Sequence, residues 1–175
     1  MRNGVHARVE IPLLARLLPV PPESDILETG CGRGVGLVAL ANVCCPGSLT
    51  GIDLDADLLR LARDRCAAGH VTADLVCGDI CDLPFQDESF DLVIDFGTLY
   101  HVGPEERALR EIARVLRIEG VLVHETPFAQ LLAHPLHATR RRLSWLATPQ
   151  LAPERSFGLW ACRIKRATPG DLASP

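Results

Sequence analysis

Ile26-Leu27-Glu28-Thr29-Gly30-Cys31-Gly32-Arg33-Gly34-Val35-Gly36 decides how the rest of the chain is read. A short apolar run ends in an acid, glycines then stand at every second position, and a helical pattern follows. An apolar run closed by glycines reads as a buried strand entering a tight turn. Alternate glycines reach backbone angles closed to other residues and let a ligand or second backbone come close. The helix behind them aims unpaired N–H groups and a partial positive charge at the same space. The stretch therefore predicts a small-molecule cradle at the carboxyl end of a strand, with Glu28 at its mouth.

Working outward, the chain alternates. Residues 5–18 carry apolar residues at helical spacing, with Pro12 as a kink, and Pro19, Pro21 and Pro22 end that segment. The first strand is expected over 25–29 and its helix over 34–44. A strand over 48–54 and an amphipathic helix over 56–68 follow, the latter burying Leu58, Leu59, Leu61, Ala62 and Cys66 and ending at Gly69. Strands at 72–77 and at Phe90–Asp95 come next, the second nearly continuous in apolar residues, as burial on both faces requires. Pro104 opens a helix that runs to about Arg117, and a fifth strand covers Val121–Glu125. The order β-α-β-α-β-β-α-β predicts an α/β, Rossmann-like doubly wound sheet in a single domain. That sheet is mostly parallel, with an antiparallel C-terminal hairpin strand formed from Arg141–Thr148 and Ser156–Lys165. The organisation expected is an N-terminal helix and Pro-rich lead-in over 1–24, a domain over 25–168 and a loose tail over 169–175.

Composition narrows the function. At 175 residues, 47% hydrophobic and 23% charged, the chain has the profile of one soluble domain. A net charge of -4 favours neither nucleic acid nor anionic membrane. No apolar run is long enough to span a bilayer, and Met1-Arg2-Asn3-Gly4 does not open a secretory signal, so the expected setting is cytoplasmic. Seven scattered cysteines fit buried thiols in a reducing compartment. Cys77 and Cys81 lack a second pair, and His6, His101 and His124 lack ligand spacing, so no metal is expected.

Ligands of open α/β sheets sit beyond the carboxyl ends of the strands, where strand order reverses. Four of those ends carry an acid: Glu28, Asp53, Asp79 and Asp95. One such acid is an ordinary turn former. Four together suit a ribose diol, an exocyclic amine and an ammonium group, and would repel a phosphate.

With these segments the chain resembles the class I S-adenosylmethionine-dependent methyltransferases of small-molecule type. The matching stretches are Ile26–Gly34, Gly51–Leu54, Gly78–Phe85, Ser89–Asp95 and Ala108–Leu116, in the family's order and spacing. The resemblance implies S-adenosyl-L-methionine as cofactor and a small-molecule acceptor as substrate. It implies that Glu28 and the backbone of Gly30, Cys31, Gly32 and Gly34 hold the methionine end. Asp53 would take the ribose, Leu54 and Ile80 pack on the adenine, and Asp79 accept from its amine. Asp95 and Phe96 would lie by the amino-acid portion, with Thr98, Tyr100 and His101 toward the acceptor. His101 and Tyr100 are the catalytic candidates, with His124 and Glu125 behind them. His101 could take up a proton near neutrality. Where relatives usually carry Pro-Gly-Gly, this chain has Ile118-Glu119-Gly120. Two alternatives stay open: an NAD(P)-binding oxidoreductase, because Gly34-Val35-Gly36-Leu37-Val38-Ala39 fits a looser dinucleotide pattern, and a non-catalytic S-adenosylmethionine-binding module. Oligomeric state is not read from the sequence.

Overall fold

The structure, a computed structural model, describes residues 11–12, 21–125, 152–157 and 160–164. Its elements are β1 (Asp25–Thr29), α1 (Val35–Cys44), β2 (Ser48–Asp53), α2 (Ala56–Ala68), β3 (Asp74–Cys77), β4 (Phe90–Asp95), a 3-10 turn (Leu99–His101), α3 (Glu105–Val115), β5 (Leu116–Glu125), β6 (Ala152–Phe157) and β7 (Trp160–Ile164). They build one seven-stranded sheet in the order β3-β2-β1-β4-β5-β7-β6. The α/β, Rossmann-like architecture is thus as expected, and β1 to β5 pair in parallel.

β7 lies antiparallel to β5, and β6 antiparallel to β7. These two strands fall within 152–164 and replace the single run expected over Ser156–Lys165. The proposed partner run, Arg141–Thr148, lies outside the described residues, as do the tail and all of the N-terminal lead-in except Ile11-Pro12 and residues 21–24.

Alternation along the strands divides the core in two. Leu27, Val93 and Leu122 face one layer with Leu109 and Ile112 of α3. Ile26, Ile94 and Val123 face the other with Leu37 and Leu40 of α1 and Leu59 and Cys66 of α2. Leu27, Leu37, Leu92, Ile112 and Leu122 are all fully buried, each worth about 1.5–3 kcal/mol against exposure. α2 buries Leu59, Ala62 and Cys66 only. Leu61 is exposed, and Leu58 turns toward the cleft described below. The apolar face was thus expected too wide, because Leu58 sits in the first turn beside the sheet's open rim.

β5 begins earlier than expected. Phe90 pairs with Leu116 and Leu92 with Val121, so Arg117–Gly120 bulge out of the ladder. Glu119 takes the left-handed conformation there, at φ 64°.

Candidate functional site

Strand order reverses between β1 and β4, which are neighbours although β2 and β3 lie between them in sequence. Beyond their carboxyl ends opens a cleft of about 340 Å³. Its wall is built by the β1–α1 turn (Gly30, Cys31, Gly32, Arg33, Val35, Gly36), by Glu28 and Leu58, and by Phe96, Gly97, Thr98 and His101 after β4.

The turn is shaped by its glycines. Gly30 has φ 61°, and a Cβ there would run into the Thr98 side chain. The β1 and β4 turns therefore close together only because residue 30 has no side chain. Gly36 plays a second part, since a Cβ there would overlap the Glu28 carboxyl group. That gap lets Glu28 lie against α1, whose own N-cap, Gly34, offers no side-chain acceptor. The Glu28 carboxyl instead accepts the Leu37 N–H, satisfying one orphan donor of the first turn. Its Oε2 has no hydrogen-bond partner among the described residues, and the residue is 3% exposed. Burial above all, then the charges of Asp95 and Asp53, holds this carboxyl well above its ordinary range.

Asp53 is tied to the same turn. Its Oδ2 accepts the Gly32 N–H at 2.8 Å and its Oδ1 the Asp55 N–H at 2.9 Å. Gly78 N–H donates to the Asp53 carbonyl at 3.0 Å, joining the ends of β2 and β3. Asp79 is exposed and accepts the Cys81 N–H at 2.8 Å. Leu54 is 74% exposed beside it, an apolar side chain standing on the rim, while Ile80 is buried.

Sheet order therefore sets the ends that carry the four acids side by side, Asp79 two residues beyond β3, Asp53 on β2, Glu28 on β1 and Asp95 on β4, with neighbouring strands about 4.8 Å apart. They do not share one face, however. Glu28 follows the side of Ile26 and Ile94, whereas Asp95 follows that of Val93. Asp95 is fully buried and its carboxylate accepts three N–H groups, from Gly97 (2.7 Å), Thr98 (2.6 Å) and Leu99 (2.7 Å). It thereby fixes the Phe96–His101 turn, and the cleft wall is made by that turn and not by Asp95.

Of the residues singled out from sequence, Glu28, Gly30, Cys31, Gly32, Phe96, Thr98 and His101 come together in the wall. Gly34, Asp53, Leu54, Asp79 and Ile80 are not among its lining residues, and Ile80 packs in the core. Cys31 contributes backbone, donating to the Ile52 carbonyl at 3.0 Å. Its thiol is buried, points toward Gly51 and is pushed up by burial and by Glu28 and Asp53, far from the thiolate a nucleophile needs. His101 is exposed in the 3-10 turn. The Tyr100 backbone shares that turn, and its side chain lies outside the described set, as does that of Glu125. His124 is buried within β5, beside Asp95 in register. Sequence reasoning did not single out Arg33 and Leu58 as wall residues. Arg33 sits inside the glycine motif, where its position could have flagged it, whereas Leu58 looked like an ordinary core leucine. No group of His, Cys, Asp or Glu able to hold a metal occurs among the described residues.

Residues 27–124 match the model of the methyltransferase domain family. The fatty-acid O-methyltransferase of Mycolicibacterium smegmatis is 39% identical over 101 residues, covering 57% of this chain and 35% of that one. The phthiotriol/phenolphthiotriol dimycocerosates methyltransferase of Mycobacterium tuberculosis is 37% identical over 107 residues, covering 61% of this chain and 37% of that one. The matched stretches thus span little more than a third of these relatives' own length. A solved S-adenosylmethionine-dependent methyltransferase of Aquifex aeolicus superposes with a TM-score of 0.72 at 12% identity, over 93% of this chain and 92% of that one, a likeness of fold. With more than half its residues matched by the family model, the chain belongs to the methyltransferase domain family, as a class I S-adenosylmethionine-dependent member.

Proposed function

We propose that this domain transfers a methyl group from S-adenosylmethionine to a small, largely apolar acceptor, lipid or natural product in character. The observation that carries the reading is the row of carboxyl groups along β3, β2, β1 and β4, lying beside a glycine turn and an open cleft. Carboxylates suit hydroxyls, amines and cations and repel a pyrophosphate, which favours the phosphate-free nucleoside over a dinucleotide. The names of the two relatives, one acting on fatty acids and one on dimycocerosates, support an apolar acceptor. Free thiols at Cys31, Cys44, Cys45, Cys66, Cys77 and Cys81 suit a cytoplasmic setting.

Asp53 takes the ribose hydroxyls with lone pairs left over from the Gly32 and Asp55 N–H groups. Leu54 and Ile80 would pack against the adenine, and Asp79 would accept from its amine. Glu28 and the Gly30–Gly34 backbone receive the amino-acid end. Asp95 acts at one remove, by holding Phe96, Gly97 and Thr98 in the cleft wall, where they would lie by the amino-acid portion. S-adenosylmethionine, when bound, supplies a methyl carbon already activated for displacement. The chain's own contribution is alignment, which accounts for about 7–11 kcal/mol of barrier in well-oriented reactions. His101 takes the acceptor's proton at an imidazole nitrogen when the acceptor must lose one, and Tyr100 contacts the acceptor beside it.

A screen with methyl-labelled S-adenosylmethionine against fatty acids, hydroxylated lipids and phenols tests this. Label should pass to at least one extractable acceptor, and His101→Ala should slow the transfer by ~10²–10⁴-fold. Binding without transfer to any acceptor would leave a cofactor-binding module, and binding of NADH in its place would leave a dinucleotide enzyme.

A further inference from the structure

One side chain in the cleft is poised in a way the family assignment does not require. Glu28 is 3% exposed, lies in the cleft wall, and presents an Oε2 without a hydrogen-bond partner. Gly36 leaves the space it occupies, and the Leu37 N–H from α1 is its backbone donor. The titratable groups facing it are the Asp53 carboxylate from β2, Asp95 from β4, the Cys31 thiol from the turn and the Cys66 thiol from α2. Arg33 and His101 stand further along the same wall. Asp95 already accepts three N–H groups, whereas the Glu28 Oε2 accepts none from the described residues. A second carboxylate charge nearby, buried and short of donors, is costly.

We infer that Glu28 is a carboxylic acid in the free protein and exchanges its proton for the ammonium group of the bound cofactor's methionine end. The inference rests on the cofactor assignment above. On binding, the Glu28 O–H bond breaks, its proton passes to solvent, and an ammonium N–H donates to the resulting carboxylate, so charge inside the cleft is unchanged. Nothing is oxidised or reduced. Affinity for S-adenosylmethionine then rises with pH, about tenfold per unit while Glu28 holds its proton in the free protein. The site also discriminates by charge. A nucleoside lacking the ammonium group has nothing to trade for the proton.

Calorimetric titration of the full chain at about pH 6.5, where the ligand's amine is charged, counts the protons. Binding heats in buffers of different ionisation enthalpy should show about one proton released with S-adenosylmethionine and with S-adenosylhomocysteine, and none with methylthioadenosine. Glu28→Gln should bind with heats independent of buffer, while Asp53→Asn should still release the proton on whatever binding it retains. Should Glu28→Gln fail to fold, the methylthioadenosine comparison stands without it. Binding of S-adenosylmethionine by the wild type with no proton released, or release persisting in Glu28→Gln, would overturn the exchange. Complete absence of S-adenosylmethionine binding would instead overturn the cofactor assignment.

Discussion

The two ends of the parallel sheet use the same residue type in opposite ways. At the amino ends of the strands, Asp25 of β1 and Asp91 of β4 flank Arg117, at 2.8 and 2.6 Å, and the Ser48 hydroxyl at the start of β2 also donates to Asp25. Here one guanidinium is shared by two acids, and the cluster staples four strands together, β1, β2, β4 and β5. At the carboxyl ends, Glu28, Asp53, Asp79 and Asp95 accept backbone N–H groups. Backbone donors shape turns but do not cancel charge, so even with Glu28 protonated the other carboxylates leave this end a negative field that a cationic nucleoside can use. One end stores stability. The other holds a charge surplus for a ligand.

Substitutions at the two ends should therefore read out on different instruments. The largest effect belongs to the rim: Asp53→Ala should weaken S-adenosylmethionine by ~30–100-fold in an equilibrium titration, given about 1.5–3 kcal/mol per charge-assisted hydrogen bond. Little loss of melting temperature should accompany it, and unchanged affinity would remove Asp53 from the site. Next comes Arg114, a side chain away from the rim, which donates to the Leu83 and Phe85 carbonyls and pairs with Glu111 and Asp87. Arg114→Met leaves both carbonyls without that donor and should cost about 2 kcal/mol in denaturant unfolding. Arg117→Gln should cost only about 1 kcal/mol, since the side chains of its pairs are a third or so exposed and screened by solvent.

The two ends should also answer pH with opposite sign. The Arg114 hydrogen bond holds Glu111 below its ordinary 4.5, and the Ser48 and Arg117 hydrogen bonds hold Asp25 below 3.8. A depressed carboxyl stabilises the fold above its unfolded value and loses that contribution as pH falls through the folded one. Unfolding midpoints should therefore drop as acid is added below about pH 4.5, and Glu111→Gln should flatten the drop. Glu28 runs the other way. Its folded value is raised, so the folded state binds the extra proton and stability falls as pH climbs above 4.5. Glu28→Gln, which keeps the shape and removes the charge, should unfold at higher denaturant than wild type at pH 8; a lower midpoint would mean the carboxylate is already well accommodated. The smallest effect lies in the β5 bulge, where Glu119 sits at φ 64°. Glu119→Gly should stabilise by about 0.5–1 kcal/mol, because glycine adopts that conformation freely.

Much of this arrangement is legible in the sequence, for definite reasons. Ile26–Gly36 declares its strand, turn and helix through local chemistry alone, and Phe90–Asp95 and Ala56–Ala68 coincide with their observed spans because periodicity there agrees with the tertiary burial. Strand-end position also led to Glu28, which the structure has in the cleft wall, and to Asp53, which accepts the Gly32 N–H of the glycine turn. What the chain does not display is which face a terminal residue takes once neighbouring strands are in register. Asp95 reads like Glu28, yet its strand phase turns it under the Phe96–Leu99 turn, where it orders backbone. Leu58 fails for a similar reason, since helical spacing assigns it to the core and the nearby opening takes it away. Arg117 was expected merely to end a helix, because its partners lie 92 and 26 residues away in sequence.

The most direct measurement is a competition between two cofactors on the full chain. Titrated separately with S-adenosylmethionine and NADH, the wild type should bind the first and ignore the second, and Asp53→Ala should lose the first. Binding of NADH in preference, or binding of S-adenosylmethionine indifferent to Asp53, would contradict a rim of strand-end carboxylates built to hold a phosphate-free nucleoside.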